Sequence, residues 1–421
     1  MGNQQVFASI ITIGDELLIG QTIDTNSAWI AQELNKIGIW VHRRVAVGDV
    51  WEDIVKSLNE EMHLSEVILI TGGLGPTADD ITKPLLCQYF GGKLVVNEEA
   101  LANVKNIFEN ILKRPLLERN LKQAEVPDVC KVLQNKRGTA PGMWFEKEGK
   151  IFVSMPGVPH EMKGMMSQSV LPALKDIFKM PPIIHRTLLT AGIGESFLAE
   201  RISDFEAQLP SNIKLAYLPN YGMVKLRLSA RGRSEKLLAE LEAEFDMLKS
   251  KVSDVLVVDE DLSMQQVIGR ILNQKNKTLG IAESCTGGYI SHLITSVPGS
   301  SSYFKGSVTS YANEVKEDVL HVDPQVIQAY GAVSRETASQ MVRGTLRVLK
   351  TDYALVTTGI MGPHGGTAEK PTGTVWVGVG SADKTETHHF LFRFDRQRNM
   401  ELTGTHGLNV LRKFILHDDG G

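Results

Sequence analysis

Short apolar runs rich in β-forming residues alternate with helical patterns over the first 165 residues, and this alternation constrains the fold more than any other feature. Phe7–Ile13, Trp40–Val47 and Val67–Thr71 predict strands, whereas Ser27–Lys36 and Trp51–Met62 predict helices. Strands that alternate with helices form βαβ units, whose strands lie parallel in one sheet. In such sheets, ligands bind beyond the carboxyl ends of the strands. We therefore predict an α/β fold with a mostly parallel sheet for this part of the chain.

The pattern changes twice further along the chain. Near residue 172 it becomes a small mixed region, in which Val224–Ser229 alternates as a half-exposed strand does and Glu235–Val252 predicts a charged helix. Near residue 262 a second α/β pattern begins. We therefore predict three domains: an α/β domain at 1–170, a small α+β module at 171–256 and a second α/β domain at 257–421.

Composition excludes several classes of protein. Of the 421 residues, 42% are hydrophobic and 22% are charged, which is enough apolar material for packed cores and argues against disorder. The net charge of −4 gives no polybasic footprint for nucleic acid or for an anionic membrane. No apolar run has the length of a membrane-spanning helix, and three scattered cysteines do not suit a disulfide framework. The sequence lacks the features of a secretory signal, so we expect a cytoplasmic protein.

Glycine-rich turns and carboxylates follow two strands of the first domain. One turn begins at Gly14 and the other runs from Gly72 to Gly75. Glycines allow the backbone to approach a phosphate, and acids beside a phosphate need a hard cation between them. Four aspartates therefore suggest a metal-assisted phosphate site: Asp15, Asp24, Asp79 and Asp80. Turn glycines and helix-capping acids would give the same pattern without a ligand, but two such turns at successive strand ends favour the site.

A hydroxyl and a thiol lie together at a predicted strand-to-helix turn in the third domain. Ser284 is a weak nucleophile unless a base removes its proton, and no histidine in this half lies in a suitable motif. A lysine whose pKa is lowered by burial is the alternative base, and Lys316 is our candidate, with Tyr311 nearby in sequence to position the proton. A lone lysine is more often a solvated helix residue. Cys285 is a rival nucleophile, although an inert buried cysteine is the commoner case.

Long motifs in a fixed order give the chain a specific resemblance. GDELL, DTNS, TGGLGPTADDIT and PGVPHEM in the first domain, and AESCTGG, SYANEVK, GAVSRETA and TGIMGPHGG in the third, closely resemble the CinA family (competence/damage-inducible protein A). The resemblance covers essentially the whole chain. It implies a MoaB/MogA-like three-layer N-terminal domain with a mostly parallel sheet, the small α+β module, and a C-terminal α/β amidohydrolase domain of the PncC type.

Two activities and their substrates follow from this resemblance. The C-terminal domain is expected to hydrolyse nicotinamide mononucleotide (NMN) to nicotinate mononucleotide and ammonia without a cofactor. The N-terminal domain is expected to hydrolyse ADP-ribose to AMP and ribose 5-phosphate with magnesium, manganese or cobalt, with potassium as an optional addition. The resemblance also implies a homodimer, and neither nucleic acid nor membrane is expected as a partner.

The resemblance and the motifs together assign the site residues. For catalysis we expect Ser284, Lys316 and Tyr311, with backbone N–H groups around Thr286–Gly288 stabilising the oxyanion. For NMN we expect Thr286, Gly287, Gly288, Ser300, Ser301, Thr358, Gly362, Gly365, Gly366 and Arg398, although Arg396 is an alternative to Arg398. For ADP-ribose we expect Gly14, Asn26, Thr71, Gly72, Gly73, Gly75, Thr77, Pro156 and Gly157. For the metal we expect Asp15, Glu16, Asp24, Asp79, Asp80 and Glu161.

Other functions stay open at this stage. Either domain could have lost its chemistry and serve as a nucleotide sensor or a competence-related scaffold, although the presence of Ser284, Tyr311 and Lys316 argues against this for the third domain. The first domain could instead handle molybdopterin, because one fold hosts both functions. The middle module carries no motif that indicates chemistry.

Overall fold

The computed structural model describes residues 5–77, 80–232 and 234–418, which form two compact units. Unit 1 comprises residues 1–184 and 231–234, and unit 2 comprises residues 185–230 and 235–421. None of the helices formed by the described residues is both long enough and apolar enough to span a bilayer.

Unit 1 is built on a six-stranded sheet. Its strands and those of a small ribbon are β1 (Phe7–Ile13), β2 (Trp40–Val47), β3 (Val67–Thr71), β4 (Leu94–Val96), β5 (Glu125–Pro127), β6 (Lys131–Leu133), β7 (Gly142–Lys147) and β8 (Lys150–Met155). The sheet order is β2-β1-β3-β8-β7-β6. The first four strands are parallel to one another, β7 pairs antiparallel with β8, and β6 pairs antiparallel with β7. The strands β4 and β5 form the separate ribbon. The predicted mostly parallel sheet is therefore confirmed.

Helices cover both faces of this sheet. They are α1 (Asp15–Leu18), α2 (Thr25–Lys36), α3 (Trp51–Leu64), α4 (Thr82–Tyr89), α5 (Glu98–Asn106), α6 (Glu118–Leu121), α7 (Pro159–Met165) and α8 (Leu171–Phe178). Successive strand residues point to opposite faces. Ile10 accordingly packs with Ile30 of α2, and its neighbour Ile11 packs with Ile54 of α3. Two apolar cores on either side of one sheet make the predicted three-layer arrangement.

Unit 2 contains two sheets. Its strands are β9 (Ile183–Ala191, entering from unit 1), β10 (Ile213–Asn220), β11 (Met223–Arg231), β12 (Leu256–Val258), β13 (Leu279–Glu283), β14 (Phe304–Thr309), β15 (Tyr353–Gly359), β16 (Thr374–Gly380) and β17 (Thr385–Leu391). The first four form a sheet of order β10-β11-β9-β12. The others form a sheet of order β14-β13-β15-β16-β17, in which β14, β13 and β15 are parallel.

The helices of unit 2 complete the layers around these sheets. They are α9 (Glu195–Arg201), α10 (Ser203–Gln208), α11 (Glu235–Lys251), α12 (Met264–Lys275), α13 (Tyr289–Thr295), α14 (Asn313–Asp318), α15 (Pro324–Tyr330), α16 (Arg335–Leu349) and α17 (Arg396–His417). One face of the five-stranded sheet packs on α12, α13 and α17, and the other packs on α16. Since β13 and β15 run parallel, the chain segments that follow Glu283 and Gly359 leave the sheet at the same edge.

Candidate active site

Ser284 lies directly after β13, on the turn that leads into α13. Its backbone N–H donates to the carbonyl oxygen of Thr357 at 2.9 Å, which fastens the turn to the end of the neighbouring strand. Gly288 has a φ of 103°, a left-handed value that favours glycine and lets the chain turn sharply into the helix. The serine hydroxyl is thus presented at the carboxyl edge of the sheet, where ligands of α/β proteins bind.

Lys316 reaches this hydroxyl from α14. Its Nζ lies 3.1 Å from Ser284 Oγ, 2.7 Å from the carbonyl oxygen of Ser310 and 3.2 Å from that of Tyr311. The side chain is 1% exposed, and this burial lowers the pKa of the amine, against the weaker opposing effects of Cys285 and Glu314. The structure therefore places Lys316 in the core beside Ser284 and not on a solvated helix face.

The three oxygen contacts of Lys316 are compatible with a neutral amine as well as with an ammonium. A neutral amine has two N–H groups and one lone pair, whereas an ammonium has three donors and no acceptor. The carbonyl oxygens of Ser310 and Tyr311 can take the two N–H groups. The lone pair is then left for the Ser284 hydroxyl, which would donate its proton to the nitrogen. This is the arrangement that general-base activation of a serine requires.

Glu283 holds the turn between β13 and α13 in place, a role that the sequence did not indicate. Its carboxylate is fully buried and accepts the backbone N–H groups of Gly288 (3.1 Å), Ile290 (3.0 Å) and Ser291 (2.8 Å), together with the Ser291 hydroxyl (2.6 Å). A buried carboxylate is stable only when such donors surround it. Glu283 therefore ties the strand that precedes the serine to the helix that follows it.

Two of the predicted oxyanion donors are already engaged. Gly287 N–H donates to the carbonyl oxygen of Ser284 at 3.2 Å, and Gly288 N–H donates to Glu283. Among the described residues, by contrast, the N–H of Thr286 has no acceptor, and that of Cys285 has only its own thiol. The backbone N–H groups of this turn that remain without another acceptor are thus those of the first two residues after the serine, because the glycine N–H groups hold the turn itself.

The rival nucleophile is buried in the core. The thiol of Cys285 packs in the apolar cluster under the sheet, and burial raises its pKa to about 12. A thiol is reactive only as the thiolate. The environment of Cys285 therefore favours an inert packing residue.

Tyr311 and the C-terminal arginines differ from expectation. The carbonyl oxygen of Tyr311, and not its phenol, contacts Lys316, while the phenol oxygen accepts a hydrogen bond from Arg396 at 3.0 Å. Arg396 also donates to the carbonyl oxygen of Gly362 at 2.9 Å. Arg398 instead lies over the ring of Phe394. Of the two arginines left open by the sequence, Arg396 is therefore the one that contacts Tyr311 and the Gly362 loop, whereas Arg398 does not.

The remaining residues predicted to bind NMN fall into two groups. The first group lies at the carboxyl edge of the sheet with Ser284, with Thr358 near the end of β15 and the others on the segments that leave the sheet: Thr286, Gly362, Gly365 and Gly366. The hydroxyl of Thr286 is bonded to Thr357, and that of Thr358 donates to the carbonyl oxygen of Ala332. Ser300 and Ser301 precede β14, whose first residue pairs with Leu279 at the amino end of β13. They therefore lie at the opposite edge, about 17 Å from the serine for a strand of this length.

Unit 1 brings several of the residues predicted for ADP-ribose into one network. Asn26 Nδ2 donates to Thr71 Oγ1 at 3.2 Å and to the carbonyl oxygen of Gly157 at 2.6 Å, and Thr71 Oγ1 donates to the carbonyl oxygen of Pro156 at 3.0 Å. The Asn26 side chain is buried, and its Oδ1 has no partner among the described residues. An unpaired buried acceptor is costly, so this oxygen lacks a donor that the described residues do not supply.

The predicted glycine turns lie around this network. Gly72 N–H donates to the carbonyl oxygen of Met155, and Gly14 N–H donates to that of Val47, so both turns are tied to strand ends. A Cβ on Gly73 would lie 2.1 Å from Thr82 Oγ1, which makes a larger residue there incompatible with the turn. Gly75 and Thr77 donate their N–H groups to Asp80.

The acids predicted to hold a metal are engaged separately. Asp24 caps α2 through Ser27, Asp80 closes the Gly75–Thr77 turn, and Glu161 accepts from Asn135 at 2.6 Å. Asp15 exchanges hydrogen bonds with Asp49, and Glu16 lies beside Gly14. Asp79 lies outside the described residues. Within the described part of the chain, no three histidine, cysteine or carboxylate side chains are grouped so that they could hold a metal ion.

Comparisons with known proteins cover the chain in three segments. Family models match residues 9–176 as a probable molybdopterin binding domain, residues 185–256 as the damage-inducible protein CinA KH domain, and residues 261–415 as the CinA C-terminal domain. A CinA-like protein of Flavobacterium psychrophilum is 45% identical over 97% of this chain and 98% of its own length. One of Cytophaga hutchinsonii is 44% identical over 98% of both chains. A crystal structure titled as competence/damage inducible protein CihA from Agrobacterium tumefaciens is 33% identical over 35% of this chain and 91% of its own, with a TM-score of 0.35.

Proposed function

The chain belongs to the CinA family, and on that premise we propose that its C-terminal domain is a serine amidohydrolase that converts NMN to nicotinate mononucleotide and ammonia. The observation that carries this proposal is the 3.1 Å contact between Lys316 Nζ and Ser284 Oγ, with the amine buried and its pKa lowered. An uncharged amine beside an alcohol is the minimum machinery for acyl transfer.

In the first half of this reaction, the Ser284 oxygen attacks the carboxamide carbon while Lys316 takes the hydroxyl proton. The N–H groups of Cys285 and Thr286 donate hydrogen bonds to the carbonyl oxygen and stabilise the negative charge that develops on it. Each such donor is typically worth about 3–4 kcal/mol in the transition state. The C–N bond then breaks, Lys316 returns the proton to the leaving nitrogen, and ammonia departs.

In the second half, water attacks the ester on Ser284. Lys316, again neutral, takes a proton from the water and then returns one to the serine oxygen as the ester bond breaks. Arg396 and the loop at Gly362–Gly366 lie at the same edge and supply the charge and backbone N–H groups that suit the ribose phosphate. The products are a carboxylate and the free enzyme.

Ammonia release from NMN by the full chain tests this proposal. Turnover that depends on enzyme concentration supports it. Tight binding of NMN without ammonia would instead identify the domain as the nucleotide sensor considered in the sequence analysis. Absence of both binding and turnover would remove NMN as the ligand.

For the N-terminal domain we propose hydrolysis of ADP-ribose to AMP and ribose 5-phosphate. The unpaired Oδ1 of Asn26 supports this, because the oxygen lacks a hydrogen-bond donor and a ribose hydroxyl is such a donor. AMP formation from ADP-ribose, lost in Asn26→Leu, is the expected result. Binding of molybdopterin in preference to ADP-ribose would favour the alternative role of this fold.

A divalent cation for this domain remains a proposal without a described site. The described carboxylates accept hydrogen bonds that cap helices or close turns, and they do not come together as the ligands of one cation. We therefore assign no step of the reaction to a metal ion. Loss of AMP formation on adding EDTA, with recovery on adding magnesium, manganese or cobalt, would support the metal. Activity that is insensitive to EDTA would remove it. The homodimer is likewise a proposal, which sedimentation tests.

A further inference from the structure

Asn399 is a polar side chain at a position that water does not reach. It is the fourth residue of α17 and is completely buried. Asparagine is a weak helix former, because its amide group competes with the backbone for hydrogen bonds. Burial of an amide group also costs free energy unless its polar atoms find partners. A buried asparagine in a helix is therefore stable only where specific partners surround it.

The partners of Asn399 lie in two segments on either side of a single helix turn. Its Nδ2 donates to the carbonyl oxygen of Met361 at 3.0 Å and to that of Phe394 at 2.9 Å. Its Oδ1 accepts the backbone N–H of Phe394 at 3.2 Å. An amide group has two N–H donors and an oxygen acceptor, so both donors and the oxygen are used. Asn399 thus joins the segment before α17 to the loop that follows β15.

Arg396 bonds to the same loop one residue further along. Its guanidinium donates to the carbonyl oxygen of Gly362 at 2.9 Å. Residues three apart on a helix are neighbours on its surface, so Arg396 and Asn399 hold the consecutive carbonyl oxygens of Gly362 and Met361. The backbone of Phe394, two residues before Arg396, is held by the same amide group. Asn399 therefore fixes both the loop that Arg396 contacts and the segment from which Arg396 extends.

We propose that Asn399 is a positioning residue of the serine site, which keeps the Arg396 guanidinium and the Gly362 loop in the relative position that binds the phosphate of the substrate. The hydrogen bonds are features of the structure, whereas their effect on turnover rests on the proposed amidohydrolase function. Because Arg396 and the loop serve the phosphate, loss of the Asn399 amide should weaken nucleotide binding and leave the chemistry at Ser284 largely intact.

Asn399→Ala removes all three hydrogen bonds, and Asn409→Ala is its matched control. Asn409 is also buried and lies ten residues later on α17, about 15 Å further along the helix axis. Its Oδ1 accepts from Arg412 Nε at 3.2 Å within the same helix. Both variants lose a buried amide group, but only Asn399→Ala releases the loop. If circular dichroism shows that Asn399→Ala does not fold, Asn399→Ser, which retains a hydroxyl, takes its place.

Amide hydrogen exchange of the full chain is the first readout. Exchange in the segments 360–366 and 393–398 should accelerate about three- to tenfold in Asn399→Ala, the factor for one lost hydrogen bond, and stay unchanged in Asn409→Ala. Equal exchange in the wild type and Asn399→Ala would overturn the proposal, whether or not the chain hydrolyses NMN. No ammonia from the wild type, combined with faster exchange in Asn399→Ala alone, would overturn the amidohydrolase function and support the contact of Asn399 with the loop.

Steady-state kinetics with NMN separate positioning from a purely structural role. Asn399→Ala should raise the KM about three- to tenfold while kcat stays within about twofold, and Asn409→Ala should match the wild type. In the Arg396→Ala background, Asn399→Ala should raise the KM by less than about twofold more, because the group that it positions is already absent. Effects of the two substitutions that multiply fully, or a loss confined to kcat, would overturn the positioning role.

Discussion

The amine nitrogen of Lys316 lies 3.1 Å from the hydroxyl oxygen of Ser284, although 31 residues separate them in the chain. The parallel pairing of β13 with β14 produces this contact, because Ser284 and the segment from Ser310 to Lys316 both follow the carboxyl ends of these strands. Burial then lowers the pKa of the amine, so a larger share of it is in the neutral form that can accept a proton.

The pH dependence of ammonia release should follow Lys316. Because its pKa is lowered from 10.5, the neutral, active form should predominate at a pH where an ordinary lysine is charged. The rate should therefore rise with pH and level off below 10.5, as a pH profile of kcat/KM would show. Lys316→Met should lose at least about a hundredfold in kcat, the usual contribution of a general base. A profile that still climbs at pH 10.5 would contradict a desolvated amine.

Cys285 should be unreactive in the folded protein. Burial raises its pKa to about 12, so almost no thiolate exists near neutrality. Iodoacetamide should leave Cys285 unmodified and ammonia release intact under native conditions, and mass spectrometry of the digested protein checks this. Alkylation of Cys285 together with loss of activity would support the thiol as nucleophile.

Glu283→Gln should disturb the nucleophile turn. The amide group of glutamine would face backbone N–H donors, leaving at least one of them unpaired in a buried site. We expect kcat for NMN to fall about a hundredfold, the typical cost of displacing a reacting group by about 1 Å. Ser291→Ala removes only one of the four hydrogen bonds and should have a much smaller effect. Equal kcat values for Glu283→Gln and the wild type would show that the carboxylate does not position the serine.

Arg396 and Arg398 provide a paired comparison two residues apart. Arg396 contacts Tyr311 and Gly362, whereas Arg398 stacks on Phe394. Arg396→Ala should raise the KM for NMN about ten- to a hundredfold, as expected for a lost charged hydrogen bond. Arg398→Ala should change the KM much less. The reverse order of the two KM values would restore Arg398 as the ligand residue.

Most of the fold that could be predicted from the sequence followed from the pattern of its strands. Alternation of apolar runs and helices predicted the mostly parallel sheet of the first domain and the α/β pattern of the third. In the third domain, the parallel strands β13 and β14 bring the turn at Ser284 and the segment at Lys316 to one edge. Proximity in sequence was less informative. Tyr311 is five residues from Lys316, yet its phenol is turned to Arg396, because spacing does not determine the direction of a side chain outside a regular element.

Two other features of the site could not be predicted from the sequence: the position of Ser300 and Ser301, and the burial of Glu283. The hydroxyls of Ser300 and Ser301 are of a type that binds ligands. These serines precede a strand, however, and therefore lie at the amino edge of the sheet. Glu283 is adjacent to the serine in the AESC motif, and an acid in a strand normally suggests an exposed position. Only the four donors that surround it explain its complete burial.

The rate of ammonia release from NMN by Ser284→Ala, measured beside Cys285→Ala, tests the central claim most directly. The structure predicts that Ser284→Ala retains its fold, as judged by circular dichroism, and loses activity by at least about a thousandfold, while Cys285→Ala keeps most of it. Turnover by Ser284→Ala within tenfold of the wild-type rate would contradict the claim that Lys316 activates this serine.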